Sequence, residues 1–218
     1  MFEQMKGLSP KKRIEYYIQY YGAATAVILI MIIAVTSFVV GRIRAKDVAE
    51  GIMLINAYGE ASEDEETYLD DLLTGYGIDP AKNKIEVNGS IYISGDGDNT
   101  VDPQMALASS QKIIALASSD SCDVFFSDDS YFATAESDGM CEDLSDYIDE
   151  GVIEAHKDDL YYCNDPETGK EILAGIRVSC DSGLMGELGW YTEDPIVGII
   201  ANPSNPELAA YIVEAMLN

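Results

Sequence analysis

Five residues stand where a binding loop would need them. The apolar run Asp123-Val124-Phe125-Phe126 ends in Ser127-Asp128-Asp129-Ser130 and opens into Tyr131-Phe132. Carboxylates and hydroxyls placed directly after a buried strand lie where an open α/β sheet lines its ligand crevice. Asn56 and Tyr58 follow a second apolar run, Ile52-Met53-Leu54-Ile55, in the same way. Trp190 and Tyr191 come after a glycine-rich stretch, 183–189, that reads as a loop, and would supply an aromatic wall. The candidate ligand-binding residues are therefore Tyr58, Asp128, Ser130, Tyr131 and Trp190. Their chemistry is recognition through hydrogen bonds and ring faces. The competing role for Asp129 or Ser130 is a helix cap.

Catalytic chemistry is harder to assemble. His156 is the single histidine, in a polar stretch that reads as surface, and any Ser-His-Asp or Cys-His nucleophile would have to form around it. No nucleophile, base and orienting group share a supporting spacing, so no enzyme and no cofactor are expected. Paired carboxylates mean little where thirty-seven acids follow residue 46. The segment 95–102, Gly-Asp-Gly-Asp-Asn-Thr-Val-Asp, alternates carboxylates as a calcium loop does. It lacks the glycine at loop position six and the glutamate at twelve. Asp102-Pro103 also reads as a helix N-cap and first position, and no metal is assigned. Cys122, Cys141, Cys163 and Cys180 contain no C-x-x-C, which speaks against zinc. Nearness in sequence favours disulfides Cys122–Cys141 and Cys163–Cys180, with four buried thiols as the alternative.

The elements that must position these residues begin with residues 22–41, which carry no charge. A helix of that length spans about 30 Å, the thickness of a bilayer core, and satisfies its own backbone. The stretch is too long and leaves into too basic a flank, Arg42 and Arg44, for a cleaved signal peptide; a buried helix would need a larger protein around it. The expected organisation is a short basic tail and membrane approach over 1–21, a span over 22–41, a stem over 42–50, and an α/β domain over 51–218. Residues 1–46 hold seven basic and two acidic side chains, net +5, whereas 47–218 hold six basic and thirty-seven acidic, net −31. This asymmetry predicts a cytoplasmic N-terminus and an outward-facing domain. It also excludes nucleic acid as a partner, since nothing basic is clustered to neutralise phosphates.

Within the domain, Ser62 and Glu65 form a candidate capping box for a helix carrying Leu69, Leu72 and Leu73. Ile85, Val87, Ile91 and Ile93 mark a β stretch around Asn88-Gly89, which signals either a hairpin or, the preferred reading, one continuous or bulged strand. Gln104 to Ala117 reads as a helix, residues 160–163 and 171–178 as a hairpin, and 195–201 as a buried strand. Asn205-Pro206-Glu207 starts a last helix whose Leu208, Tyr211, Ile212, Ala215 and Met216 form one stripe.

Three segments carry a resemblance. These are 115–126 (Ala-Leu-Ala-Ser-Ser-Asp-Ser-Cys-Asp-Val-Phe-Phe), 143–148 (Asp-Leu-Ser-Asp-Tyr-Ile), and 197–212, with its Asn-Pro-Ser-Asn-Pro-Glu-Leu-Ala-Ala-Tyr-Ile tail. Together they resemble the first lobe of the extracellular solute-binding proteins of bacterial ABC importers. That resemblance implies a three-layer open sheet like one lobe of a type 2 periplasmic-binding fold, preceded by one transmembrane helix. The segment between the 171–178 arm of the hairpin and the 195–201 strand is too short for that family's second lobe. The function implied is solute binding or recognition beside a transporter or other membrane protein; the alternative is a structural or regulatory subunit that no longer binds solute.

Overall fold

The computed structural model describes residues 10–93, 101–118 and 122–218. The segment 95–102 weighed for calcium falls outside them except at Val101 and Asp102. Two compact units are present, Met1–Ala45 and Lys46–Asn218.

The first unit is helix α1 (Pro10–Arg44). Its window Tyr21–Phe38 is long and apolar enough to cross a membrane, and none of it is buried in the protein. Ile28, Ile30, Ile33, Val35 and Phe38 all stand exposed. Apolar side chains on every face of a helix suit a lipid surround rather than water.

The second unit is a mixed α/β fold. Its strands are β1 (Asp47–Ile55), β2 (Asn83–Ile91), β3 (Val124–Ser127), β4 (Leu160–Asn164), β5 (Glu171–Arg177) and β6 (Ile196–Ile199), in the sheet order β2-β1-β3-β6-β5-β4. β2, β1 and β3 run parallel, whereas β6 is antiparallel to both β3 and β5, so β5 points the same way as β1 and β3. Helices α2 (Glu65–Tyr76), α6 (Gly183–Leu188) and α7 (Pro206–Leu217) cover one face, through Leu69, Leu73, Met185, Leu208 and Ile212. Helices α3 (Pro103–Ala117) and α4 (Asp129–Ser137) cover the other with Ile113, Tyr131, Phe132 and Ala135. A short helix, α5 (Glu150–Ala155), precedes β4. The sheet is thus the middle of three layers, and Gly51 to Ile55 are buried throughout, as a strand covered on both faces requires.

Several local readings are revised. β1 starts at Asp47, so the strand occupies residues read as a stem. α2 takes Asp64 as its N-cap without a side-chain bond; Ser62 instead accepts the Asp64 N–H, so no capping box forms. Residues 183–188 are helix α6 rather than a loop. Asn205 makes no side-chain cap bond on α7; its own N–H donates to the Asp123 carboxylate at 2.6 Å. Others hold. β2 is one strand with a bulge, where Met53 to Ile55 on β1 faces Asn88 to Ile91 on β2 and Ser90 adopts φ 57°. Asp102 caps α3 by accepting the Gln104 N–H at 2.8 Å. β4 and β5 form the expected hairpin.

The register separates the cysteines that nearness in sequence would pair. Ile200 lies between Cys122 and Cys141: its N–H donates to Asp123 on one side, and it bridges to Cys141 on the other. Two strand spacings are about 10 Å, beyond the ~7 Å between Cα atoms that a disulfide spans. Cys163 faces Ile172 at one end of the hairpin, whereas Cys180 follows Arg177 at the other. All four are free thiols. Burial raises each above the ordinary thiol value, Cys122 to about 12, which keeps them in the unreactive protonated form.

Candidate functional site

The parallel strands create the site. From β1 the chain crosses one face through α2 to reach β2, then returns over the opposite face through α3 to β3. The first crossover carries the chain to one side of β1 and the second to the other, so a crevice opens at the carboxyl ends of the neighbouring strands β1 and β3. A crevice of 460 Å³ lies there, lined by Asn56 and Tyr58 after β1, Asp128 and Asp129 after β3, Arg177 at the end of β5, and residues 191–194 before β6. That volume falls in the range of small-molecule sites.

Tyr191 forms its floor. The buried hydroxyl accepts the Ile55 N–H at 3.1 Å and lies 2.8 and 2.9 Å from the carbonyl oxygens of Ile55 and Phe126, to one of which it donates. It therefore fills the gap where β1 and β3 splay after their last paired residues, Leu54 and Phe126. Burial holds its phenol well above the ordinary tyrosine value, so it stays a neutral donor.

Asn56 sets the rim. Its backbone is left-handed, φ 56°, a conformation asparagine tolerates better than most residues. From there its amide accepts the Ile93 N–H at 2.8 Å and donates toward Asp128, 3.1 Å from both carboxylate oxygens. Asp128 also accepts the Tyr131 N–H at 3.0 Å and the Ser130 hydroxyl at 3.0 Å. Asp128 is thus the α4 cap as well as a crevice residue, and its own chain occupies both oxygens.

Arg177 is the one cation among the described residues that line the crevice, and it too is held. Its guanidinium donates to the Asp129 carboxylate, to the Tyr161 hydroxyl and, at 3.0 Å, to the Asp194 carbonyl. It also sits 5.2 Å from the centre of the Tyr161 ring. At the mouth, Tyr58 is 61% exposed and stacks on Tyr92 with ring centres 5.3 Å apart. Thr192, Glu193 and Asp194 complete an exposed edge.

Of the five residues singled out by sequence, Tyr58 and Asp128 line the crevice. Ser130 is exposed beside it, on Asp128. Tyr131 and Trp190 are buried instead. Tyr131 packs in the core beneath α4 with its hydroxyl 3.7 Å from the Met140 sulfur, and burial pushes its phenol up to about 12. Trp190 meets Phe126 edge-on in the opposite core and donates its indole N–H to Glu65 at 2.5 Å. The loop carrying it packs so tightly on residues 59–62 that a Cβ at Gly59 would lie 2.1 Å from the Gly189 carbonyl oxygen. Arg177 and Glu193 were missed; the one signal for Arg177 is a basic residue closing a strand. His156 is half-buried rather than solvated, beside Asp159 and Arg177 in a smaller cavity of 240 Å³.

The fold and crevice define a class, a mixed α/β domain with a polar crevice at the switch point of its sheet. No family model, curated protein or solved structure matches the chain.

Proposed function

We propose that this chain is a membrane-anchored binding module. α1 spans the bilayer, the acidic domain faces outward, and the crevice receives a small solute, in the manner of one lobe of a solute-binding protein working beside a transporter. The observation that carries this reading is the placement of the crevice at the carboxyl ends of β1, β3 and β5, with the Asn56, Asp128 and Tyr191 bonds preorganising its walls. The charge asymmetry of the chain supports the orientation, and protease added to intact cells is expected to remove the acidic domain. The solute reading is tested by the melting temperature of the full chain in detergent micelles against sugars, amino acids, peptides and calcium. A solute at ~100 times its dissociation constant adds about 2.7 kcal/mol, a visible upward shift. A flat panel on a folded protein rejects solute binding.

One observation favours the second reading, an interaction subunit. α3 leaves Leu107 and Ile114 exposed on one face, and its fifteen residues include no acid, in a domain that is otherwise strongly acidic. A membrane protein docking there would cover an apolar strip free of repelling charge. A partner retained on full-length protein and lost on Leu107→Glu and Ile114→Glu is the outcome this reading requires.

A further inference from the structure

We infer that the crevice selects small organic cations, solutes carrying one or more ammonium groups. The inference rests on reading the crevice as a solute site and adds the chemical class of its ligand.

The first ground is a complete account of the domain's cations. Lys46 pairs with Glu66 and Asp70, Lys82 with Asp79, Lys84 with Glu86, Lys157 with Glu154, Lys170 with Asp143, and Arg177 with Asp129. Lys112, the remaining one, donates to the Gly89 carbonyl at 2.7 Å. Each basic side chain of the domain is therefore already engaged by its own chain. An anionic solute would have to pull Arg177 away from Asp129, Tyr161 and the Asp194 carbonyl, and would still face Asp128, Glu193 and Asp194. A cationic solute meets Glu193 and the second oxygen of Asp194, whose Oδ1 accepts the Cys180 N–H at 2.8 Å, with no ion pair to break, in the field of a strongly acidic domain that raises its local concentration.

The second ground is aromatic. Tyr58 is on the crevice wall, exposed, and braced from behind by Tyr92. A tyrosine face attracts an ammonium group by its quadrupole and covers the methylenes beside it. The third ground separates an organic cation from a metal ion. The carboxylates stand apart around a wide crevice, and among the described residues no three acidic, histidine or cysteine side chains converge as a metal centre would need.

The test is calorimetric titration of the full chain in micelles with spermidine and choline as cationic probes, maltose as a neutral probe and citrate as an anionic one, at low and at moderate salt. Binding of a cation is expected. Glu193→Gln with Asp194→Asn should weaken it at least tenfold, and Tyr58→Ala about fivefold. Glu150→Gln, an equal kind of charge change on α5, should leave it within twofold. Cation binding that all these variants weaken alike is condensation on an acidic surface and overturns the proposal. Binding of maltose or citrate in preference to either cation overturns the ligand class while leaving the solute site in place. No binding by any probe, in protein whose circular dichroism shows it folded, overturns the class, and with a flat melting panel the solute site as well.

Discussion

The two ends of the sheet use the same residue types in opposite ways. At the carboxyl ends of β1 and β3, Asp129, Glu193 and Asp194 stand in solvent around a crevice. At the amino end of β3, Asp123 is 3% exposed, and Glu50 on the neighbouring β1 is 1% exposed. Glu50 accepts the Gly51 N–H at 2.8 Å and the Asp123 N–H at 3.0 Å, while the Asp123 carboxylate accepts the Ser204 hydroxyl and the Asn205 N–H. The inner pair ties β1, β3 and the start of α7 together, and the outer group lines the open crevice. A carboxylate's neighbours, more than its identity, decide whether it belongs to the fold or to function.

The largest expected effect is the pH response of Glu50. Burial, and next the Asp123 charge, raise its carboxyl from the ordinary 4.5 to about 7, against the lowering pull of the two N–H groups. The folded protein therefore holds a proton that the unfolded chain releases above pH 4.5. Stability is fully present below 4.5, falls as pH rises toward 7, and levels off above it. At ~1.4 kcal/mol per pH unit this amounts to about 3 kcal/mol. Denaturant titration of the full chain between pH 4 and 8 is expected to show that slope, and Glu50→Gln to flatten it. A slope that survives the substitution would assign it to other acids.

Asp123→Ala comes next. It leaves the half-buried Asn205 N–H without its charged acceptor, while the exposed Ser204 hydroxyl turns to water, an expected loss of about 2 kcal/mol. Tyr191→Phe, at the crevice floor, removes the hydroxyl that bridges the splayed ends of β1 and β3 and strands the Ile55 N–H. About 1–2 kcal/mol is expected, with solute binding weakened further because the floor loosens. An unchanged unfolding midpoint for either variant would mean that the corresponding end of the sheet is held by packing alone.

Much of this contrast was legible in the sequence, and the part that was not has a physical reason. The runs at residues 52–55, 124–126 and 195–201 announce strands by unbroken apolarity, and the Asp128 loop is visible because it follows one of them. Glu50 reads as polar stem, since its burial depends on the N–H of a residue seventy-three positions away. Trp190 and Tyr191 are adjacent aromatics with identical sequence signals and both are buried, yet only Tyr191 also lines the crevice. Arg177 enters the site only because β5 points the same way as β1 and β3, a consequence of strand order that no local pattern encodes.

The smallest effect on the fold tests the contrast most sharply. Glu193 is exposed and lies on the open edge of the crevice. An exposed acid that makes no ion pair among the described residues contributes little to folding, because solvent screens it. Glu193→Gln is therefore expected to leave the melting midpoint and its pH profile unchanged, where Glu50→Gln alters both. If the outer carboxylates serve recognition, the same substitution must still lower cation affinity, and more so at low salt, where the charge it removes reaches farther. A variant that melted normally and also bound normally would move recognition away from this edge. One that lost stability would show that the outer acids belong to the fold as the inner pair does.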